Sequence, residues 1–171
     1  MALKADRYEE STDISFFYNE GTAARGGVVI HDRQAPGGSG AALDQGENLV
    51  KYATPVAADI PVCILLNDVV NKDLTRTHLN QHKDEVQQGG KVTILTRGWV
   101  VTDKVDGTPT AGALAYASTT GLISVPNQGP VSTLGATASG NLAVGRWMSQ
   151  KDADGYAKLY VNLPNHGGST A

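Results

Sequence analysis

Short apolar runs separated by glycine-rich and polar connections dominate the chain, and this pattern predicts many short β-strands. The clearest alternation lies near the carboxyl end, where Ala157, Leu159, Val161 and Leu163 share one face of an extended segment. Further strands are predicted over residues 28–30, 48–52, 62–66, 91–102, 112–118, 121–125 and 142–148. We therefore predict a mainly β fold, built as a compact β-barrel or as a β-sandwich.

One predicted strand changes its pattern at a glycine. Val92 and Ile94 place even-numbered residues on the apolar face, whereas beyond Gly98 the large residues are Trp99 and Val101. A single extra residue reverses the face that each later side chain occupies, which is the effect of a β-bulge. The sequence therefore predicts a β-bulge near Gly98.

The amino-terminal region, residues 1–26, is predicted to be an extended arm. Its one strong apolar feature is the cluster formed by Ile14, Phe16, Phe17 and Tyr18. An arm without its own core is ordered by a partner, and aromatic side chains are effective anchors in such contacts. The alternative is that this cluster pairs as the first strand of the chain's own sheet.

The remaining core, residues 27–163, contains one segment without the strand pattern, at about residues 67–90. This segment is polar, and four positions within it follow the spacing of one helix face, namely Thr75, Leu79, His82 and Val86. Only two of the four are strong hydrophobes, and an isolated helix of this length is marginal in water. The segment is therefore either one short helix pressed on a sheet or an arm ordered by a partner.

Length and charge restrict the possible functions. The chain has 171 residues, a mass of 17.9 kDa and 18% charged residues, which suits one domain with long loops and, at residues 164–171, a flexible tail. A net charge of −3 does not supply the basic surface that nucleic acid binding requires. No apolar run approaches the roughly 18 residues of a membrane span, so we expect no membrane partner.

The single cysteine, Cys63, excludes an internal disulfide and a multi-cysteine zinc site. It lies in an apolar run and is predicted to be a small buried hydrophobe. The amino terminus lacks an apolar signal core, so we expect synthesis in the cytoplasm.

Two motifs suggest metal binding, and both lack essential ligands. His78 and His82 have the spacing of a zinc-binding helix, but Leu79 stands where H-E-x-x-H requires its glutamate. The D-A-D-G sequence resembles part of a calcium loop, yet Gln150 and Val161 occupy the two positions that need acidic ligands. A β-turn explains these residues better. We therefore predict no metal, no cofactor and no catalytic residue.

Three stretches carry a resemblance to a known family. They are a strand with a glycine break, a T-P-x-x-G-x-x-x-Y segment with the G-L-I-S sequence that follows it, and V-G-R-W before D-x-D-G-Y-A, at residues 89–102, 108–124 and 144–159. In this order they resemble the head decoration, or cement, proteins of tailed bacteriophages. The similarity covers roughly residues 89–163.

This resemblance implies a virion structural protein on the capsid exterior, without enzymatic activity. Such a protein binds the major capsid protein and clamps neighbouring subunits, commonly as a homotrimer whose several weak contacts add up to tight attachment. The candidate capsid or subunit interface then comprises Ile14, Phe16, Phe17, Tyr18, Leu79, His82 and Val86.

Two other classes of function are left open by the residues themselves. One is a tail-tube, tail-fibre or adaptor component of a virion, which would assemble as a ring or fibre. The other is a β-barrel enzyme or a sugar-binding module that uses the strand aromatics as a platform.

Overall fold

The structure, a computed structural model, describes residues 3–4, 6–21, 23–32, 48–52, 61–68, 85–86, 88–125 and 143–163. Strands in these segments are β1 (Tyr8–Tyr18), β2 (Ala23–Ala24), β3 (Val28–His31), β4 (Leu49–Tyr52), β5 (Pro61–Asp68), β6 (Glu85–Val86), β7 (Lys91–Thr102), β8 (Val105–Asp106), β9 (Leu114–Ala117), β10 (Ile123–Ser124), β11 (Ala143–Trp147) and β12 (Ala157–Asn162). A short 3-10 turn covers Thr119–Gly121. The prediction of a mainly β fold is confirmed.

Ten of the strands form one sheet in the order β1-β4-β3-β5-β7-β12-β11-β9-β10-β8, and β2 pairs separately with β6. Because β1 also pairs with β7, the pairings β1–β4–β3–β5–β7 return to their starting strand. The sheet therefore combines a closed circuit of pairings with an open extension that begins at β12. Within the described ranges, no helix is long and apolar enough to cross a membrane.

Two hydrophobic cores lie on opposite faces of the central strands. In β5, Ile64 and Leu66 belong to the larger core, while Cys63 and Leu65 belong to the smaller core. The same division separates neighbouring residues of β3. Both faces of these strands are covered, which explains why their sequences are continuous apolar runs instead of alternating ones. The prediction that Cys63 is buried is confirmed.

Strand β7 passes from one core to the other. Val92 and Ile94 pack in the smaller core, whereas Val100 packs in the larger core. Even-numbered residues thus face different cores before and after Gly98, so the predicted reversal of faces is present. The expectation that Trp99 and the next odd residue become the apolar face is wrong, because Val100 and Thr102 are the buried residues.

Gly98 lets β1 lie against β7 at the reversal. Its φ is 140°, in the region that favours glycine, and a Cβ there would collide with the carbonyl oxygen of Tyr8. The β1–β7 register shifts on both sides of Ser11, close to this point. The bulge therefore occurs where a side chain is sterically excluded.

The carboxyl-terminal hairpins agree with the sequence pattern. β9 pairs with β10 across the 3-10 turn, and β11 pairs with β12. In the turn between β11 and β12, the Asp152 carboxylate accepts hydrogen bonds from the backbone amides of Asp154 and Tyr156, at 3.1 and 2.7 Å. The D-A-D-G sequence is thus a β-turn whose first aspartate closes the loop.

Residues 8–18 are not a free arm, because they form β1 and pair with the chain's own sheet. β1 is antiparallel to β7 over most of its length and parallel to β4 at Phe17 and Tyr18. The segment before β1 is also held, since Leu3 is buried and pairs with Thr102. The structure therefore favours the alternative that this region begins the sheet.

The helical interpretation fails at both ends of its segment. Asn67 and Asp68 belong to β5, and Val86 belongs to β6, where it pairs with Ala23. Extended pairing fixes these residues, so a helix stripe cannot include Val86. Residues 69–84 and 87, and the predicted tail at 164–171, lie outside the described residues.

Replacement of Gly98 by alanine should destabilise the protein strongly. Gly112→Ala is the matched control, because Gly112 also has a positive φ, of 89°, but no atom lies within 4 Å of its added Cβ. We expect the control to cost about 1 kcal/mol and Gly98→Ala at least about 2 kcal/mol more, because only Gly98 adds a steric clash. Urea unfolding measures both, and equal losses would contradict the proposed close contact.

Candidate functional site

A row of large side chains crosses the solvent-facing side of five neighbouring strands. The strand register aligns Leu114 of β9 with Arg146 of β11, Arg146 with Tyr160 of β12, Tyr160 with Trp99 of β7, and Trp99 with Tyr8 of β1. We call these five residues the outer row. Directly opposed residues on neighbouring strands project from the same face, so the five form one continuous surface.

Strand alternation explains why this row faces outward. Leu159, Val161 and Val100 point into the larger core, so the intervening Tyr160 and Trp99 point to the other side. Tyr8 is 53% exposed and Leu114 37% exposed. Apolar surface therefore remains accessible at both ends of the row.

A glycine brings two strands of the row close together. A Cβ on Gly145 would collide with the carbonyl oxygen of Tyr160, so β11 approaches β12 more closely than a side chain would permit. This explains the glycine in the V-G-R-W sequence. It also holds the neighbouring Arg146 directly beside Tyr160.

Cationic side chains hold the aromatic residues of the row in place. The Nζ atom of Lys158 lies 3.3 Å from the ring centroid of Trp99, a cation–π contact. Arg97 forms an ion pair with Glu10 at 2.6 Å, and its hydrogen bond with Tyr160, followed by the charge of Glu10, raises the pKa of its guanidinium. The result is a surface of aromatic rings bordered by fixed cations, which suits contact with another protein.

Two kinds of reactive site, a metal centre and a cysteine nucleophile, can be checked in the described part of the chain. No group of three or more His, Cys, Asp or Glu side chains comes together there to hold a metal ion. Cys63 is fully buried, and burial raises the pKa of its thiol, so it is a poor nucleophile.

The apolar cluster in β1 divides into exposed and buried residues. Ile14 is 52% exposed, whereas Phe17 is half-buried. Phe16 is also half-buried and packs against the smaller core and against His31, with ring centroids 5.5 Å apart. Tyr18 is buried in the smaller core. Of the four predicted contact residues, Ile14 is the one most available to a partner.

Of the three other predicted interface residues, Val86 is the one that the structure describes. Val86 is buried in the smaller core, where it stabilises the fold. Leu79 and His82 lie outside the described residues. The interface prediction is therefore untested and stays a prediction, with Tyr18 and Val86 the residues that burial makes least available.

Sequence reasoning missed the two exposed ends of the outer row. The alternation in β12 predicted that Tyr160 faces away from Leu159, and this is observed. The sequence carries no comparable signal for Tyr8 and Leu114, because their alignment with Tyr160 depends on pairing between strands far apart in the chain.

A family model described as "Structural cement protein (E217 gp24/Pam3 gp6)" matches residues 9–162. The match runs from the second residue of β1 to the last residue of β12. A search of curated proteins found no match.

The chain therefore belongs to the phage structural cement protein family. It is a virion structural protein that cements the capsid, as the resemblance in the sequence implied. The alternative of a tail component is not favoured.

Stability should fall as the pH rises above about 10, because of two tyrosines, Tyr18, which is buried, and Tyr52, which is half-buried. The rings of Tyr18 and Tyr52 meet edge to face at 5.8 Å, and burial raises the pKa of both phenols. The unfolded chain therefore ionises first, near the ordinary tyrosine pKa of about 10, and its ionisation favours unfolding by up to about 1.4 kcal/mol per pH unit for each tyrosine.

Urea unfolding between pH 9 and pH 11 measures this loss. A Tyr18→Phe, Tyr52→Phe double variant should lose much of the pH dependence. Tyr8→Phe, which removes an exposed phenol, should retain it. An unfolding free energy that is constant over this range in the unmodified protein would contradict the assignment.

Proposed function

We propose that the chain binds the outer surface of the assembled capsid through the major capsid protein and bridges neighbouring subunits. The observation that carries this proposal is the family match over residues 9–162. In this function the protein acts by adhesion alone and transforms no substrate. It is synthesised in the host cytoplasm and joins the exterior of the head.

We further propose that the outer row contributes to capsid contact. Aromatic residues and arginine are enriched where protein interfaces are most strongly bound. Tyr8 and Leu114 offer exposed apolar area at its two ends, and Arg146 lies between them with its Nη1 donating to the Gly112 carbonyl oxygen at 2.7 Å. Because this hydrogen bond already orders Arg146, its contact with a partner costs little further side-chain entropy.

The arrangement around Trp99 argues against a sugar platform. A sugar ring stacks on an open aromatic face, and the Nζ atom of Lys158 already occupies one face of this indole. A protein partner can pack around the Lys158 stem and the ring edges together. The outer row is therefore better suited to a capsid subunit than to a carbohydrate.

Self-association into a homotrimer completes the proposal. A trimer touching several capsid subunits at once converts individually weak contacts into one durable attachment. Its three-fold symmetry would match sites where capsid subunits meet in threes. Mass photometry of the purified protein should accordingly find three chains per particle.

Binding to capsids that lack this protein tests the proposal. The double variant Tyr8→Ser, Leu114→Ser should bind at least tenfold more weakly, because two exposed apolar contacts of the row are lost. The matched control, Ala153→Ser with Asp154→Ser, changes two exposed residues in the β11–β12 turn and should bind normally. Co-sedimentation with capsids over a range of protein concentrations gives the affinities.

Equal binding by the variant and the control would remove the outer row from the contact. Failure of the unmodified protein to bind capsids, or capsids that release DNA at the same temperature with and without it, would overturn the proposed function.

A further inference from the structure

Strand β1 is unusually open for a strand eleven residues long. One edge pairs with β7, but on the other edge the described residues offer a partner, β4, only at Phe17 and Tyr18. The side chains from Tyr8 through Thr12 are all exposed, so both faces of this part are open as well. Among the residues that the structure describes, the first half of β1 is thus accessible on both faces and has no strand partner along one edge.

Buried residues hold this open strand at both ends. Before it, Leu3 is buried and the amide of Lys4 donates to the carbonyl oxygen of Val101 at 3.0 Å. The Lys4 Nζ atom also forms an ion pair with Asp152 at 2.8 Å. After it, Tyr18 is buried in the smaller core. The strand is therefore fixed in an extended form before any partner arrives.

A free strand edge is an unsatisfied row of backbone donors and acceptors, and it favours pairing with another extended segment. We infer that the free edge of β1, over Tyr8 to Ile14, takes up an extended segment of a capsid subunit as an added strand. This inference rests on the proposed function and specifies how the capsid is held. Ile14, 52% exposed, would then pack beside the added strand.

The negative charge of the β1 segment favours a capsid segment over a second copy of this chain as the added strand. Residues 6–15 contain one cation, Arg7, and four carboxylates, which belong to Asp6, Glu9, Glu10 and Asp13. Hydrogen bonds from Ser15 lower the pKa of Asp13, so it stays ionised. Pairing β1 with β1 would bring two such acidic segments together, which is unfavourable. An added strand that carries Lys or Arg would instead be attracted.

The direction of one amide gives a specific test. The carbonyl oxygen of Val101 points toward the amino-terminal segment, where it accepts a hydrogen bond from Lys4. The amide and carbonyl groups of successive residues point to alternate edges of a strand. Those of Gly98, three residues earlier, therefore point to the opposite edge, toward β12. Glu9 lies opposite Gly98, and therefore its own amide and carbonyl point away from β7, toward the free edge. Proline at position 9 removes an outward donor and leaves the β1–β7 ladder intact.

The experiment compares Glu9→Pro with Glu9→Ala in binding to capsids that lack the protein. Both variants lose the ion pair with Arg7, so their difference reports the missing backbone amide together with the fixed φ of proline. We expect Glu9→Pro to bind at least tenfold more weakly than Glu9→Ala, and Glu9→Ala to remain within about threefold of the unmodified protein. Urea unfolding verifies that both variants are folded.

Amide hydrogen exchange of the unmodified protein provides the second measurement, which does not depend on variant folding. Peptides covering residues 6–16 should gain at least tenfold protection on capsid binding, since the added strand accepts their outward amides. Capsid binding with no added protection there, or equal binding by the two variants, would overturn the strand-addition proposal while the proposed function stands. Protection that rises with protein concentration without capsids would assign the edge to a second copy, which also overturns it.

Discussion

Strand β7 is the element on which the rest of the structure depends. Its first half pairs with β5 and its second half with β12, while β1 runs along its other edge. It contributes to the smaller core before Gly98 and to the larger core after it. A strand can contribute side chains to both cores only if its even-numbered residues change from one face to the other along its length. This change requires a position where no side chain meets β1. That single constraint links the two cores, fixes β1 and orients the outer row.

Much of the β architecture follows from local pattern, because alternation and turn residues act over a few positions. The strand at Ala157–Asn162, the turn at Asp152 and the reversal near Gly98 were all predictable on this basis. Long-range pairing was not. The spacing of Val86 fits a helix, yet Val86 lies in β6 and pairs with Ala23 of β2, more than sixty residues away. The outer row was missed for the same reason, since its register joins strands from both ends of the chain.

The β1 strand shows how a cement protein can combine a stable body with an adhesive surface. Its carboxyl end is buried at Tyr18, and Leu3 is buried before its start, whereas its first half contributes few side chains to either core. Acidic residues and register shifts discourage pairing between copies, which protects the free edge before assembly. Tyr8 belongs both to this strand and to the outer row, so the proposed strand addition and the proposed aromatic contact form one continuous surface.

The most direct test of this account is a cryo-electron microscopy reconstruction of mature heads with the protein bound, at a resolution that shows strand backbones. The account predicts that each copy lies on the outer shell across a boundary between capsid subunits, with an extended capsid segment hydrogen-bonded along Tyr8–Ile14. Density for the protein on the tail, or on the shell with that edge of β1 facing solvent, would contradict it.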